Sequence, residues 1–300
     1  MNEPRWMSGP PRGILMATDL SSRCDRALDR AVLLSEQWQA KLTILHVLED
    51  PASWDDEAPA PSWRRPPDPF AIAQRRLVED VGPAAMSASL VVEEGVPSEV
   101  IQRTAEARGC DLIVTGIARD EPLGRFLLGS TVEQLLRSSA RPLLVVKNRA
   151  RHAYQNILVA TDFSETSRHA LEMTVKYFPG QAFRIFHAYE APLSGFTTDT
   201  ASYRSQYLTG VEAQYNAFVN SSPSADLIRK HATPLLEFGA PDRLLRDCVR
   251  ETGVDLVVLG TQGRNALFEM IVGSVAKQIM AELPCDALVL REPDAAAESE

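Results

Sequence analysis

The sequence predicts an α/β protein of two tandem domains, each a five-stranded parallel sheet with helices on both faces. Short apolar segments alternate with amphipathic helical segments along the 300 residues. This alternation is typical of doubly wound parallel sheets. The same order of segments also occurs twice, which places the domains at 1–150 and 151–300.

The duplication is visible in individual segments. ILMATDLS at 14–21 returns as ILVATDFS at 157–164, and DLIVTG at 111–116 returns as DLVVLG at 255–260. The two offsets, 143 and 144 residues, keep nearly the same register over a domain length. A repeat of this length indicates a duplicated domain and not a solenoid, whose units are much shorter.

Hydrophobic periodicity predicts the elements of the first copy in order. The predicted strands are 13–18, 41–48, 88–93, 111–115 and 143–147, and the helices are 23–39, 70–81, 98–108 and 130–138. Asp19 with Ser21 or Ser22 is expected to cap the first helix. The proline-rich, acidic stretch 49–69 is either a lid or a disordered insertion, and both interpretations stay open.

The second copy repeats this order. Strands are predicted at 156–160, 183–188, up to 237, 255–259 and 287–291, with helices at 165–178, up to 219, 242–251 and 274–282. A polar loop is expected from 190 to about 205. The acidic, alanine-rich end at 293–300 is expected to fray.

Composition excludes several classes of protein. The net charge of −9 argues against a nucleic-acid binder, which needs a basic face. No apolar run approaches the roughly 20 residues that span a bilayer, and the polar N-terminus does not resemble a signal peptide. The four cysteines lack paired spacing, so we expect reduced, mostly packed thiols, no metal site and a cytoplasmic protein.

Three features of the second copy follow predicted strands and can therefore share one crevice at the carboxyl edge of the sheet. They are Thr161–Asp162, Ala188 and the segment 260–275. In that segment Gly260 and Gly263, then Gly273, lie between a strand and a helix. Main-chain N–H groups and a helix N-terminus form an anion site there, as in a phosphate cradle.

The same residues leave alternatives open. Asp162 can accept hydrogen bonds from a ribose or an adenine edge, or it can cap the following helix. The glycines can serve tight turns alone. His46 and His187 lie within strands and are expected to be packed imidazoles. No Ser–His–Asp, Cys–His or HExxH arrangement is present, and neither GxGxxG nor GxxxxGK[ST] occurs, so no catalytic residue is assigned.

These motifs resemble the universal stress protein family. The resemblance rests on ATDFSET at 160–166, the strand ending in His187-Ala188, and Gly-x2-Gly-x9-Gly-Ser at 260–274. It covers about 12–147 and 154–292, and it implies Rossmann-like domains and binding of ATP, alone or with Mg²⁺. The implied ligand residues are Ala160, Thr161, Asp162, Ala188, Leu259, Gly260, Gly263, Arg264, Gly273, Ser274 and Val275.

The resemblance also implies how the two domains associate. Paired domains of this family meet through their last strands, which are 143–147 and 287–291 in this chain. The chain is then an internal pseudo-dimer. Further homodimerisation and an unidentified protein partner stay open.

The first copy departs from the motif at one glycine. Arg119 stands where the second copy has Gly263, and Asp120-Glu121 follow it. A side chain obstructs close backbone approach, and carboxylates repel a triphosphate. We therefore expect nucleotide to be held mainly by the second domain. The alternative, that Arg119 compensates by pairing with a phosphate, stays open.

The leading functional expectation is an ATP-binding regulatory protein of the stress response. One alternative is an enzyme, a slow ATPase or phosphotransferase, for which Asp162 is the one acidic candidate in the crevice. Another is an interaction scaffold that holds no nucleotide.

Overall fold

A computed structural model describes residues 9–49, 68–82, 87–120, 125–127, 129–190, 200–260, 280 and 282–291. Most of the predicted loop at 49–69, part of the loop at 190–205, most of the predicted helix at 274–282 and the end at 293–300 lie outside the described residues. No helix in these ranges is long and apolar enough to cross a membrane.

The predicted elements of the first copy are present within about two residues. They are β1 (Gly13–Thr18), α1 (Asp25–Trp38), β2 (Lys41–Leu48), α2 (Pro69–Val81), β3 (Ala88–Glu94), α3 (Pro97–Ala107), β4 (Leu112–Gly116), β5 (Ala118–Asp120), β6 (Arg125–Leu127), α4 (Ser130–Ser138) and β7 (Leu143–Val146). The short strands β5 and β6 were not predicted. The expected cap of α1 is wrong, because its N-cap is Cys24, which makes no side-chain capping bond.

The second copy follows the same order with one addition. Its elements are β8 (Ile157–Ala160), α5 (Glu165–Tyr177), β9 (Phe183–Tyr189), α6 (Thr200–Asn220), α7 (Ala225–His231), β10 (Ala232–Phe238), α8 (Pro241–Thr252), β11 (Leu256–Gly260) and β12 (Asp286–Leu290). The helix α6 begins five residues before the predicted end of the polar loop. The extra helix α7 is only seven residues long, too short for a periodic pattern to show in the sequence.

The ten long strands form one sheet in the order β10-β9-β8-β11-β12-β7-β4-β1-β2-β3. All pairs within each half are parallel, which confirms the predicted five-stranded parallel sheets. The halves join through β7 and β12, which pair antiparallel with Leu288 opposite Leu144. The expected meeting of the two last strands is therefore confirmed.

The apolar core divides into two clusters, one on each face of the sheet, because successive side chains of a strand point to opposite sides. Ile14 and Met16 of β1 belong to one apolar cluster and Leu15 belongs to the other. Leu256 and Val257 of β11 divide in the same way. Each cluster contains residues of both copies, so the two cores continue across the junction.

A buried ionic cluster lies beside the junction. Asp286, fully buried at the start of β12, accepts hydrogen bonds from the main-chain N–H groups of Lys147 (2.8 Å) and Asn148 (3.0 Å) through Oδ1. Its Oδ2 accepts from the Tyr154 hydroxyl (2.7 Å) and lies 3.4 Å from Nε of Arg30. The Arg30 guanidinium also stacks over the Tyr154 ring at 3.9 Å. The cluster thus ties α1 of the first copy to β12 of the second.

Lys147 adds a third buried charge to the junction. Its ammonium donates to the carbonyl oxygens of Met280 and Leu283 (2.7 Å for Leu283). Burial lowers the pKa of Lys147 to about 8, against the opposing effect of nearby Cys285 and Asp286. A charged group is stable there only because these acceptors replace water.

The thiols agree with the sequence expectation. All four cysteines are free, and Cys24, Cys110 and Cys285 are buried, whereas Cys248 is partly exposed. Burial raises the pKa of Cys24 to about 11 and that of Cys285 to about 12, and it also raises the pKa of Cys110.

We predict that Asp286→Ala lowers the free energy of unfolding by about 3–5 kcal/mol, because Arg30, only 4% exposed, is left with an unpaired buried charge. Urea unfolding measures this change. The control is Asp29→Ala, which removes the ion pair between Asp29 and Arg149. The Asp29 side chain is 43% exposed and that of Arg149 is 75% exposed. That change is expected to cost less than about 1 kcal/mol. Equal losses in the two variants would contradict the assigned role of the cluster.

We also predict that a thiol reagent modifies Cys248 well before the other three cysteines in the native protein. The buried thiols stay protonated at neutral pH and out of reach, and only a thiolate reacts. Reagent uptake is measured with and without urea, with four equivalents expected in urea. Rapid native modification of Cys24 or Cys285 would refute the described packing.

Candidate functional site

The turn after β8 is shaped by its own side chains. Thr161 Oγ1 accepts the main-chain N–H of Phe163 at 2.9 Å, and Asp162 Oδ1 accepts that of Ser164 at 3.1 Å. Ser164 is the N-cap of α5, since its hydroxyl accepts the N–H of Ser167 at 3.2 Å. The alternative that Asp162 caps the helix is therefore wrong. Its carboxylate instead holds the turn at the mouth of the crevice.

Phe163 takes a left-handed backbone conformation, with φ of 62°. Such a conformation costs about 1–2 kcal/mol for a residue with a side chain. Stacking offsets part of this cost, because the Phe163 ring lies 4.0 Å from the His187 ring and 5.3 Å from that of Phe218. No pattern in the sequence indicates this strain at a bulky residue.

Both copies use a histidine to hold this turn. His187 Nδ1 lies 2.8 Å from the carbonyl oxygen of Thr161, and His46 Nδ1 lies 3.0 Å from that of Thr18. Since a carbonyl only accepts, each Nδ1 carries the proton. The turn of the first copy matches in detail, with Leu20 at φ of 59°. Both imidazoles are half-buried and act in positioning, where the sequence predicted packed side chains.

The predicted ligand residues of the second copy that the structure describes lie at one edge of the sheet. β8 pairs with β9 on one side and with β11 on the other, so the carboxyl ends of the three strands are neighbours. The residues at these ends are Ala160, Thr161, Asp162, Ala188, Leu259 and Gly260. The strand order reverses between β8 and β11, which is where doubly wound sheets form a crevice.

The remaining ligand residues are not part of this description. Gly263, Arg264, Gly273, Ser274 and Val275 lie outside the described residues. Their role in binding stays a prediction from the sequence, as does that of the six residues at the strand ends.

The first glycine of the motif has a packing role in both copies. A Cβ on Gly260 would lie 3.0 Å from backbone and side-chain atoms of Thr166 at the start of α5. A Cβ on Gly116 would lie 2.7 Å from the carbonyl oxygen of Arg23, just before α1. Close approach of the helix to the strand end therefore requires glycine, apart from any contact with phosphate.

The first copy differs from the expected glycine loop. β5 and β6 form an antiparallel ribbon directly after β4, with Arg119 opposite Phe126. Strand pairing uses some of the main-chain N–H groups that a phosphate cradle would need. The segment that contains Arg119 is thus a paired ribbon in the first copy.

The first copy nevertheless retains a crevice of about 400 Å³ at the carboxyl ends of β1, β2 and β4. Asp19 lines it. Burial would raise the pKa of Asp19, but hydrogen bonds from Ser21 and Cys24 and the charge of Arg23 outweigh burial and lower it. The crevice therefore presents an ionised carboxylate where the second copy presents Asp162. The carboxylate of this turn is thus common to both copies, whereas Arg119 of the first copy stands where the second has Gly263.

Ser164 and Ser167 are positioning residues that sequence reasoning did not assign. Ser167 Oγ lies 2.8 Å from Thr161 Oγ1 and so links the helix to the turn. The sequence contained a signal for this cap. A serine at the N-cap accepts the N–H of the residue three positions later, which is the spacing of Ser164 and Ser167.

We predict that Gly116→Ala and Gly260→Ala each destabilise the fold by about 1–3 kcal/mol, because the methyl group collides with backbone atoms. The control is Gly210→Ala in α6, where no atom lies within 4 Å of the added Cβ and φ is not positive. That change should stabilise by roughly 0.5–1 kcal/mol. Urea unfolding compares the three. Unchanged stability of Gly260→Ala would mean that packing does not require this glycine.

Comparison with known proteins assigns both copies to one family. The model of the universal stress protein family matches residues 11–147 and again residues 153–291. A Staphylococcus epidermidis protein named as a universal stress protein is 32% identical over 151 residues, covering 46% of this chain and 85% of the relative. A similarly named protein of Staphylococcus haemolyticus is 31% identical over 150 residues, covering 46% and 85%.

Solved structures agree in fold. A universal stress protein from Archaeoglobus fulgidus superposes with a TM-score of 0.65 at 19% identity, covering 93% of this chain and 98% of that one. A Pseudomonas aeruginosa protein of the same description gives 0.61 at 22% identity, covering 96% and 95%. At these identities the likeness concerns the fold alone. With both family matches and the duplicated Rossmann-like sheet, the chain is a tandem two-domain member of the universal stress protein family.

Proposed function

We propose that this protein is an ATP-binding regulatory protein of the stress response, with the nucleotide held mainly by the second domain. The observation that carries the proposal is the convergence of the β8, β9 and β11 ends at the point where the strand order reverses. Crevices of this kind are where open α/β sheets bind ligands. Domain limits at 1–150 and 151–300 are part of the proposal.

The nucleoside would lie against the turn after β8. Asp162 is half-buried there, and its Oδ1 is already engaged by the Ser164 N–H. This bond orients the carboxylate, which can accept from ribose hydroxyls or from an adenine edge. Main-chain groups at Ala160 and Ala188 would contact the base, since their small side chains leave room for a ring.

The phosphates would lie along Gly260–Arg264 and Gly273–Val275. The support here is the glycine spacing in the sequence and the position of Gly260 at the end of β11. The first copy supports the assignment by contrast, because its matching segment contains Arg119 in a paired ribbon. Binding with or without Mg²⁺ is part of the same proposal.

Isothermal titration with ATP, run with and without Mg²⁺, tests the proposal. We expect one site per chain. Asp162→Ala should raise the Kd by about tenfold to a hundredfold, since a hydrogen bond to a charged group contributes about 1.5–3 kcal/mol. Gly263→Arg, which copies the first-domain residue, should abolish binding.

The matched control is Asp19→Ala, which removes the corresponding carboxylate of the first copy. It should leave the Kd for ATP within about twofold. Two equivalent sites per chain, or normal binding by Gly263→Arg, would refute the assignment to the second domain. Mass spectrometry of nucleotide that co-purifies separates the proposal from a nucleotide-free scaffold.

A further inference from the structure

We propose that the first domain has a second binding site, for a small multivalent oxyanion, at the edge of the sheet opposite the crevice. A cavity of about 600 Å³ opens at the amino ends of β1, β2 and β3. We call it the basic pocket, and its lining includes Arg12, Lys41, Arg108, Trp38, Thr43 and Ser89. Its volume falls in the range of about 300–1,000 Å³ usual for small-molecule sites.

The charge of the basic pocket is positive and unbalanced. Arg12, Lys41 and Arg108 line it, and among the residues that the structure describes no aspartate or glutamate does. Within the part of the chain that the structure describes, none of the three forms an ion pair. The Arg108 guanidinium donates to the Ser89 hydroxyl at 2.9 Å. Like charges gathered in a concave surface raise the local positive potential, here in a chain of net charge −9.

One carboxylate lies behind the pocket. Asp111 is buried, and its Oδ2 accepts the main-chain N–H groups of Arg12 (2.8 Å) and Gly13 (3.1 Å). Its charge is thus engaged by the backbone at the start of β1.

Stabilisation of helix ends does not explain these cations. α1 and α3 end at the pocket, and cations are favourable near helix C-termini. However, α5 and α8 of the second copy correspond to α1 and α3 and end at the corresponding edge of the sheet. The residues there that match Arg12, Lys41 and Arg108 are Gln155, Ala182 and Thr252, and none of these is charged. The fold therefore forms without this group of charges, and the first copy carries it for another reason.

The donors define the class of ligand. Two guanidinium groups offer forked N–H pairs that match carboxylate or phosphate oxygens, and Lys41 adds a point charge. The Ser89 hydroxyl lies beside Arg108, and Trp38 forms an aromatic wall. Such a set suits a compact molecule with two or more phosphate or carboxylate groups. The site is at the opposite edge of the sheet from Asp19. It lies on the same edge as Asp162 but in the other half of the sheet, with β11, β12, β7 and β4 between β8 and β1, so it is separate from the proposed nucleotide site.

Titration calorimetry with inorganic tripolyphosphate and, separately, with citrate tests the site. Measurements at about 50 mM salt keep electrostatic screening low. We expect saturable binding of at least one of the two anions, and the tighter one identifies phosphate or carboxylate as the preferred group. The double variant Arg12→Gln/Lys41→Gln should raise the Kd at least about tenfold, with an unchanged thermal transition because both side chains are exposed.

The matched control is Arg184→Gln. Arg184 lies at the amino ends of the strands in the second copy and donates to Thr252 Oγ1 at 3.2 Å. It should leave the Kd within about twofold. The proposal is overturned if neither anion binds or if the control loses affinity equally. It is also overturned if Gly263→Arg abolishes anion binding, since the anion then occupies the second-domain loop. ATP binding is measured separately, so failure of one site does not imply failure of the other.

Discussion

The antiparallel pairing of β7 with β12 is the contact on which the rest of the architecture depends. It makes one ten-stranded sheet from two five-stranded halves and places their carboxyl edges on opposite sides of the molecule. The buried cluster of Asp286, Arg30 and Tyr154 lies beside this pairing. Its charges are buried, so they require each other, and separating the halves would expose both the paired strands and the cluster.

The side chains around the junction differ between the two copies, although β7 and β12 are corresponding strands. The position matching Asp286 in the first copy is Pro142, and the position matching Arg30 in the second copy is Met173. The buried ion pair on one side of the junction thus has two apolar residues in its place on the other. This asymmetry distinguishes a covalently joined pair of domains from a dimer of identical chains, in which each contact occurs twice.

The two copies share the turn after their first strand and differ in what surrounds it. Threonine, histidine and a left-handed residue recur in both turns with the same hydrogen bonds. In the first copy the ribbon β5–β6 follows β4, and the basic pocket lies at the amino ends of β1, β2 and β3. A common frame thus carries different side chains in the two copies, since Arg12, Lys41 and Arg108 of the first stand where the second has Gln155, Ala182 and Thr252.

The sequence by itself determined the fold class, the duplication and nearly all strands, because a buried parallel strand is a continuous apolar run and both copies repeat it. It also placed Thr161, Asp162, Ala188 and Gly260 at strand ends. It could not decide that Ser164 caps α5 in place of Asp162, since both residue types cap helices and only the backbone angles select one. Nor could it show that Gly116 and Gly260 are required by helix packing, or that Arg12, Lys41 and Arg108 share a pocket. Those facts depend on distances between residues far apart in the chain, and only tertiary structure decides them.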